Sequence, residues 1–385
     1  MHTVIVGGGF AGVKAALELS KRQIGKITLI TNQPYFLHHA TLYATATGRD
    51  SAESVIPLDE IFRSHPGVKI VNDEVTSIDT ERKILSSANH QYAYDAAVLA
   101  LGSVTAFFNI QGMEAHSFGI KTLEDVQEFQ EHIYDEIAHK KLDKKIYVIG
   151  GGQTGVELAG ALYEHINEIV NLKNLKSLRP KITVVEVADR IVPRMSKTAS
   201  TLITKQLRKL GVNVHTGHHV EKLKDEFITI DGDTFPTRTA IWTSGVKNNP
   251  FFIQNSHSFQ LDQSGRVVVN AFLEASSGVY VIGDNNNVKF SGTANAALAQ
   301  GAHVAKNIAH IASKRPQSAF RPHSAPVGVP ISSRWGYVEW HGIYAAGRPG
   351  LFFRRLLELY GYCQLMPFKR ARAVWRAHDI HSPKI

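Results

Sequence analysis

The chain has 385 residues and a formal net charge of +9 at pH 7, from 43 Lys and Arg against 34 Asp and Glu. Because 43% of its residues are hydrophobic, it can build the cores of two or three domains, which excludes a disordered or collagen-like chain. The basic excess lies mostly in residues 334–385, where nine Lys and Arg stand against three acids. This distribution argues against a broad nucleic-acid-binding face and favours a local contact between the C-terminus and an anionic partner, such as a membrane surface.

Cys363 is the only cysteine, which excludes an intrachain disulfide, a paired-thiol redox site and a thiolate zinc cluster. The spacing of histidines and carboxylates does not predict a metal site, so we expect none. The first residues run almost directly into an apolar stretch at residues 3–7, so we expect no secretory leader and cytoplasmic synthesis. No apolar run approaches the roughly 20 residues that cross a bilayer, so we expect any membrane contact to be peripheral, at the cytoplasmic face.

One internal repeat relates residues 3–19 to residues 146–162 at a constant offset of 143. Each copy has a β-branched strand, a G-x-G-x-x-G turn and a helical pattern, followed by a second strand at residues 27–31 or 182–186. This order predicts a dinucleotide-binding unit, whose turn lets pyrophosphate approach backbone amides at the positive end of a helix. Two units predict two dinucleotides. The matched glycines are Gly7 and Gly150, Gly9 and Gly152, and Gly12 and Gly155.

The two copies differ at the end of their second strand, where the adenosine ribose is recognised. The second copy ends in Glu186, whose carboxylate can accept hydrogen bonds from both ribose hydroxyls and would repel a 2′-phosphate. We therefore expect NADH rather than NADPH there, the alternative being that Glu186 is an ordinary solvated residue. The first copy has Thr31 and Asn32 instead, so its ribose contact must come from neutral groups or from the backbone.

Three stretches outside the two copies predict further strands of the same architecture. Residues 94–103 and 239–250 each predict a buried strand that ends in a glycine turn. Residues 278–284 predict an apolar strand that ends in a Gly-Asp pair, followed by a helix at about residues 293–311. Because the last strand follows both units, it must join a sheet already begun.

Sequence blocks along most of the chain resemble those of the type II NADH:quinone oxidoreductases, a family of flavoproteins with two dinucleotides. The blocks are GGGFAG, YFLHHATLYATATG, GGGQTGVELAGAL, ITVVEVADRIVP, AIWTSGVKNNP and VYVIGD. The resemblance implies an α/β fold with two Rossmann-like dinucleotide-binding domains and a C-terminal amphipathic membrane-association segment. The expected domains are residues 1–110 and 246–320 for a discontinuous FAD domain, 111–245 for an inserted NADH domain, and 321–385 for membrane association or dimerisation.

The resemblance also implies which residues bind the cofactors. The first glycine turn is expected to hold FAD, Gly283 and Asp284 to bind its ribityl and pyrophosphate end, and the middle domain to hold NADH. Glu157 falls where the family places a glutamate beside the nicotinamide and the flavin, although an acid early in a helix is also favoured by the helix dipole alone. The expected cofactor-binding residues are Gly7, Gly8, Gly9, Phe10, Ala11, Gly12, Thr31, Asn32, Val75, Ala100, Leu101, Gly102, Gly150, Gly152, Thr154, Gly155, Glu186, Gly245, Gly283, Asp284 and Ala294.

The acceptor side departs from the family pattern. Where the family's flavin-proximal helix usually has A-Q-x-A-x-Q-Q-G, this chain has ANAALAQG at residues 294–301, so Asn295 and Ala299 replace two glutamines. We expect Asn295 and Gln300 on the acceptor side. His38 and His39, in the loop that should approach the flavin, are candidates for proton supply to a reduced acceptor.

The C-terminal region carries apolar residues at helical spacing between basic ones. The apolar residues are Phe352, Phe353, Leu356, Leu357 and Tyr360, and the basic residues include Arg354, Arg355, Lys369, Arg370, Arg372 and Arg376. This pattern is typical of an interfacial helix, in which each Lys or Arg gains on the order of 1 kcal/mol from anionic lipid. The alternative is a helix packed on the body of the protein or on a second subunit of a homodimer.

Taken with the resemblance, these features predict a non-proton-pumping enzyme that passes a hydride from NADH to FAD and then two electrons to a quinone. No thiol pair is available for a sulfur relay. Two alternatives stay open. One is a soluble FAD/NADH reductase that serves a protein electron carrier or oxygen, and the other is a flavin-bound redox sensor without significant turnover.

Overall fold

In a computed structural model, residues 1–175 and 179–379 are described. The parts of the expected NADH domain and C-terminal region at residues 176–178 and 380–385 lie outside the described residues.

The first 110 residues open with the strand, glycine turn and helix of the first repeat. The apolar run of the first strand is buried on both faces, as in a parallel sheet covered by helices. The elements are β1 (His2–Val6), α1 (Phe10–Lys21), β2 (Lys26–Thr31), β3 (Tyr35–Leu37), α2 (Leu42–Ala46), β4 (Val55–Pro57), α3 (Leu58–Phe62), β5 (Val68–Asn72), β6 (Val75–Asp79), β7 (Ile84–Ser87), β8 (Gln91–Ala93), β9 (Ala96–Leu99) and β10 (Ser103–Thr105).

The middle of the chain contains the second repeat, which helix α5 precedes. Helix α5 starts with a capping box, in which the side chains of Thr122 and Asp125 each accept a hydrogen bond from the other's backbone amide and fix the helix N-terminus. The elements are α4 (Met113–His116), α5 (Leu123–Ala138), β11 (Lys145–Ile149), α6 (Gln153–Leu172), β12 (Lys181–Glu186), α7 (Lys197–Leu210), β13 (Asn213–Thr216), β14 (Val220–Lys224), β15 (Phe227–Ile230), β16 (Asp233–Pro236), β17 (Ala240–Trp242) and β18 (Val246–Asn248).

The last third returns to the first sheet and then adds a hairpin region with two helices. Its elements are α8 (Pro250–Gln254), β19 (Glu274–Ser276), β20 (Val279–Val281), α9 (Ala294–Ala312), β21 (Val327–Ser332), β22 (Trp335–Trp340), β23 (Ile343–Gly347), α10 (Arg348–Cys363) and α11 (Phe368–Ala377).

Two sheets organise the described residues. The first has the order β19-β20-β9-β1-β2-β5, and its neighbours are parallel except for β19 and β20. The second has the order β13-β12-β11-β17 and is parallel throughout. Strand β20 thus joins a sheet whose first strand lies at the N-terminus, as expected from its apolar run. This is the α/β, Rossmann-type architecture that the repeat predicts.

The C-terminal region is part of the protein core. Tyr362, near the end of α10, packs with the residues of α1 and α9, and Tyr337 of β22 packs with the residues of α6. The opposite face of α10 is open, since Phe352 is 60% exposed and Tyr360 is 56% exposed. Helix α10 therefore has both properties that the sequence left as alternatives, one face packed on the body and one apolar face uncovered. Among the described residues, none of the helices has the length and apolarity needed to cross a bilayer.

Candidate active site

The two glycine turns have the same backbone geometry. Gly7 and Gly150 both adopt φ of +112°, which favours glycine because side chains clash there. A Cβ on Gly7 would collide with the carbonyl oxygen of Ala100, and one on Gly150 would collide with Ser244. The turns therefore bring the ends of β1 and β11 into backbone contact with the segments that follow β9 and β17.

The helix that follows each turn begins at an open space. Gly9 is the N-terminal cap of α1 and Gly152 that of α6. A Cβ placed on either residue would meet no atom of the described chain within 4 Å beyond the glycine and its two neighbours in sequence. Thr154, in the first turn of α6, is exposed. The first amides of a helix need external acceptors and attract anions. Both places thus fit the pyrophosphate of a dinucleotide.

The end of β12 is joined to the second glycine turn by Glu186. Its carboxylate accepts a hydrogen bond from the Gly151 amide at 2.7 Å and from the Ala188 amide at 2.9 Å. The side chain is half-buried, so it is fixed beside the turn and still accessible. Its expected contact with the adenosine ribose stays a prediction that this position supports.

At the first site the corresponding position is filled differently. The buried Thr31 side chain lies against the backbone of Gly8, whereas Asn32 is exposed. The Val75 side chain is packed in a core cluster with Val4 and Val6, so a cofactor contact from Val75 would have to come from its backbone. A ribose at this site is therefore left with a hydroxyl, an amide and backbone groups as partners.

Two turns close the other side of the first site. The Asn285 side chain donates to the Gly102 carbonyl at 2.6 Å and accepts from the Gly102 amide at 3.0 Å, which joins the turn after β9 to the turn after β20. In the second of these turns, the Asp284 carboxylate accepts a hydrogen bond from the Ser103 hydroxyl at 2.8 Å. At the second site, Gly245 lies under the ring of Phe108, an exposed residue with φ of +49°.

The placement of Gln300 corrects one expectation. The side chain is fully buried, and its oxygen accepts hydrogen bonds from the Gly283 amide at 2.7 Å and the Asn286 side chain at 2.8 Å. Its nitrogen donates to Ser291 at 2.9 Å. Gln300 therefore holds the Gly283 turn and does not face an acceptor. Asn295 is half-exposed in the first turn of α9, and its expected position on the acceptor side stays a prediction.

Glu157 lies where three parts of the chain meet. It is only 6% exposed on α6, its Oε1 is 3.9 Å from an Arg354 nitrogen of α10, and its charge also acts on the buried Tyr43 of α2. Burial raises the pKa of Glu157 to about 8, although Arg354 opposes the rise; nearby Glu358 adds to it. A carboxyl group with a pKa near the working pH can take up and release a proton during turnover. We call Tyr43, Glu157, Arg354 and Glu358 the junction cluster.

His38 does not fit the role of proton donor. Burial lowers the pKa of His38 to about 4, so its ring is neutral at pH 7, whereas the His39 side chain is exposed and its expected role stays a prediction. A neutral imidazole with so low a pKa has no acidic proton to supply at that pH. His38 instead packs between the rings of Phe10 and Tyr362, at centroid distances of 5.1 Å and 4.7 Å. Glu157, with a pKa of about 8, is the predicted site residue whose proton affinity suits proton exchange near neutral pH.

Residues 1–303, which are most of the chain, match the protein-family model described as "pyridine nucleotide-disulphide oxidoreductase". The chain belongs to the pyridine nucleotide-disulphide oxidoreductase family.

Curated relatives and solved structures extend the similarity to the C-terminal region. The type II NADH:quinone oxidoreductases of Staphylococcus haemolyticus and Staphylococcus aureus are each 27% identical to this chain, over 92% of it and 93% of the relative. The structure of NDH2 from Plasmodium falciparum in complex with NADH has a TM-score of 0.85 at 16% identity, covering 98% of this chain and 97% of that one. The sulfide:quinone oxidoreductase of Aquifex aeolicus has a TM-score of 0.78 at 17% identity, with 98% and 91% covered.

This member of the pyridine nucleotide-disulphide oxidoreductases has no second cysteine to form a disulphide. Cys363 lies near the end of α10, half-buried, and burial raises the pKa of its thiol. A raised pKa disfavours the reactive thiolate. A redox step through paired sulfurs within the chain is therefore excluded.

Two charged residues of this family member lie on a different surface from the one that the sequence pattern predicts. The pattern places Arg354 and Arg355 among the lipid-facing cations, but Arg354 is buried and the Arg355 side chain is only 12% exposed. Arg354 pairs with Glu358 at 2.8 Å, and Arg355 pairs with Glu358 and lies 3.9 Å from the buried Glu53. The only sequence signal was the i, i+4 spacing of Arg354 and Glu358, which is common on exposed helices as well.

Proposed function

We propose that the chain is an FAD-dependent NADH:quinone oxidoreductase of the type II class, not coupled to proton pumping. The observation that carries this proposal is the full-length similarity to curated type II enzymes, in a chain with two equivalent dinucleotide turns and one cysteine. In this class, electrons pass from NADH to a quinone through the flavin alone.

The chain's own residues provide binding, position and a proton. The N-termini of α1 and α6 hold the pyrophosphates of FAD and NADH, and Glu186 selects NADH through the ribose hydroxyls. When bound, FAD supplies the hydride and electron chemistry. Glu157, whose pKa of about 8 keeps it mostly protonated at neutral pH, supplies a proton on the acceptor side. We propose that Asn295, in the first turn of α9, contributes to the acceptor end of the site; its half-exposed side chain supports this role.

We propose the same domain division that the sequence predicts. Residues 1–110 and 246–320 form the FAD domain, which the six-stranded sheet supports, since it draws strands from both segments. Residues 111–245 form the NADH domain around the four-stranded parallel sheet, and residues 321–385 form a C-terminal region.

The outer face of the C-terminal region supports a peripheral contact with the cytoplasmic face of a membrane. The large exposed apolar residues of the described part of this region are Trp340, Ile343 and Tyr344 on the β22–β23 hairpin, Phe352, Phe353, Leu356 and Tyr360 on α10, and Phe368 at the start of α11. We call this set the aromatic face. Exposed cations lie close to it in sequence, at Arg348, Lys369, Arg372 and Arg376. Apolar contact area combined with cations is what an anionic lipid surface selects.

Vesicle flotation tests the membrane contact. The double change Phe352→Ser and Phe353→Ser is expected to reduce binding to vesicles that contain phosphatidylserine, and added salt should reduce wild-type binding. Phe227→Ser, which changes an exposed aromatic residue on β15, is the matched control. Full binding by the double variant, or a dimer that dissociates when the aromatic face is changed, would assign that face to another role. Deleting the tail is unsuitable because α10 also supplies Arg354 and Tyr362 to the interior.

Absorption spectra test the proposed activity. The purified protein is expected to show a flavin spectrum that NADH bleaches without oxygen and that a short-chain quinone restores. Protein without flavin, or flavin that NADH does not reduce, would refute the proposal. Reoxidation by oxygen or by a protein carrier, but not by quinone, would favour the soluble reductase, for which the loss of two glutamines at Asn295 and Ala299 is the supporting observation. Bound flavin without turnover would favour a sensor.

A further inference from the structure

Lys121 is a positively charged residue in the candidate active site that the proposed function does not use. It lies in the turn before α5, and its ammonium group donates a hydrogen bond to the Ser103 hydroxyl at 3.2 Å. The same hydroxyl donates to the Asp284 carboxylate at 2.8 Å. A lysine of the proposed NADH domain is thereby linked to two residues of the proposed FAD domain.

The backbone of Lys121 is fixed by the start of α5. One carboxylate oxygen of Asp125 accepts hydrogen bonds from the Lys121 and Thr122 amides, both at 2.9 Å. The Asp125 amide in turn donates to the Thr122 hydroxyl at 3.0 Å. Because this capping box holds the Cα position, the direction in which the side chain leaves the turn is set by the fold.

The surroundings of the ammonium group include residues that the sequence predicts to be near the flavin. Burial lowers the pKa of Lys121, while Asp284 and Asp125 act in the opposite direction. The ammonium group is also near enough to His39 for its charge to lower the pKa of that ring. Lys121 therefore lies near Asp284 and His39, the two places at which the sequence predicts approach to the flavin.

A cation at this place has a chemical use that a neutral side chain lacks. Bound FAD would accept a hydride from NADH, and a hydride carries one net negative charge from its donor to the group that accepts it. A fixed positive charge close to the accepting group would favour the reduced form and raise the reduction potential. A neutral or acidic side chain in the same position would lower it.

We propose that Lys121 is a flavin-contacting residue whose ammonium group offsets the negative charge delivered with the hydride, and that Ser103 and Asp284 position it. This inference rests on the proposed function, because it requires bound FAD. It assigns to Lys121 a role in setting the potential of the flavin, beyond linking two parts of the chain.

The test compares the two-electron midpoint potential of the FAD-loaded variants Lys121→Met and Lys121→Arg with that of the wild type, using a reference dye in a reductive titration. Lys121→Met keeps the length of the side chain without its charge, and we expect about a tenfold smaller equilibrium constant for reduction, equivalent to a fall of about 30 mV. Lys121→Arg is expected to stay near the wild type. Lys224→Met, at an exposed position on β14, is the control for loss of a lysine charge.

The outcomes separate this proposal from a structural role and from the proposed function. An unchanged potential in FAD-loaded Lys121→Met overturns the proposal, even if the variant is less stable or retains less FAD. If that variant retains no FAD, Ser103→Ala is measured instead. A lower potential in it supports the proposal, and an unchanged potential overturns it. Wild-type protein that lacks flavin, or whose flavin NADH does not reduce, would refute the proposed function itself.

Discussion

Replacing Glu157 by glutamine is expected to stabilise the protein, and by more as the pH rises. The pKa of this carboxyl group is about 8 in the folded chain, against an ordinary value of 4.5, with burial as the main cause. The folded state therefore binds the proton more tightly than the unfolded state. The cost of ionising Glu157 is absent below pH 4.5, grows between pH 4.5 and 8, and is complete above pH 8.

The magnitude follows from the size of that shift. Each unit of pKa difference corresponds to about 1.4 kcal/mol, so the full cost of the buried charge is about 5 kcal/mol. Glutamine has nearly the same shape and cannot ionise. We therefore expect Glu157→Gln to exceed the wild type in free energy of unfolding by about 1 kcal/mol at pH 5 and by about 4 kcal/mol at pH 7.5.

Urea unfolding of both proteins, followed by tryptophan fluorescence at several fixed pH values, measures this difference. The slopes of free energy against urea must agree for the comparison to hold. Glu164→Gln, at a half-buried position on the same helix, controls for exchanging a carboxylate for an amide. The reasoning is refuted if the advantage of Glu157→Gln does not change between pH 5 and pH 7.5, or if it declines.

Three further outcomes are expected. Quinone reduction by the wild type should slow above about pH 8, as Glu157 loses its proton, and Glu157→Gln should lack that limb of the pH–rate profile; identical profiles would remove Glu157 from proton supply. Gly152→Ala should weaken NADH binding and Gly9→Ala should weaken FAD binding, each by about tenfold or more, because a methyl group would fill the space expected to hold phosphate. Neither change should alter the melting temperature. Unaltered affinities would place the phosphates elsewhere. His378→Ala should lower the free energy of unfolding by about 1–3 kcal/mol, since the buried Glu53 carboxylate loses a hydrogen-bond partner at 2.8 Å; an unchanged value in urea unfolding would show that water replaces the ring.

The parts of the fold that depend on local pattern could be predicted from the sequence. The helix expected at residues 293–311 is α9 (Ala294–Ala312), and the strand expected at residues 182–186 is β12 (Lys181–Glu186). The glycine turns were equally predictable, because positive φ and close backbone contact impose a residue type at fixed spacing. Each of these features is encoded in a short local stretch of the sequence.

The parts of the site that depend on distant segments could not be predicted in the same way. Gln300 is buried against a turn that begins at Gly283, and no local pattern states which partner an amide will choose. The inward positions of Arg354 and Arg355 could not be predicted for a related reason. Pattern analysis assigns apolar residues to the interior or to lipid and charges to water, whereas α10 buries its charges against Glu157 and Glu53 and exposes its aromatic residues.

Under the proposed function, the two faces of α10 serve membrane attachment and proton supply, so the same helix is needed for both. An α-helix with its side chains is about 10 Å across, so an acceptor dissolved in lipid beneath the aromatic face would be one helix diameter from the Arg354 contact with Glu157. Trimming this helix to obtain a freely diffusing catalyst would also remove the counter-charge of the proton-carrying acid. Anchorage and turnover should therefore be lost together in any truncation that reaches α10.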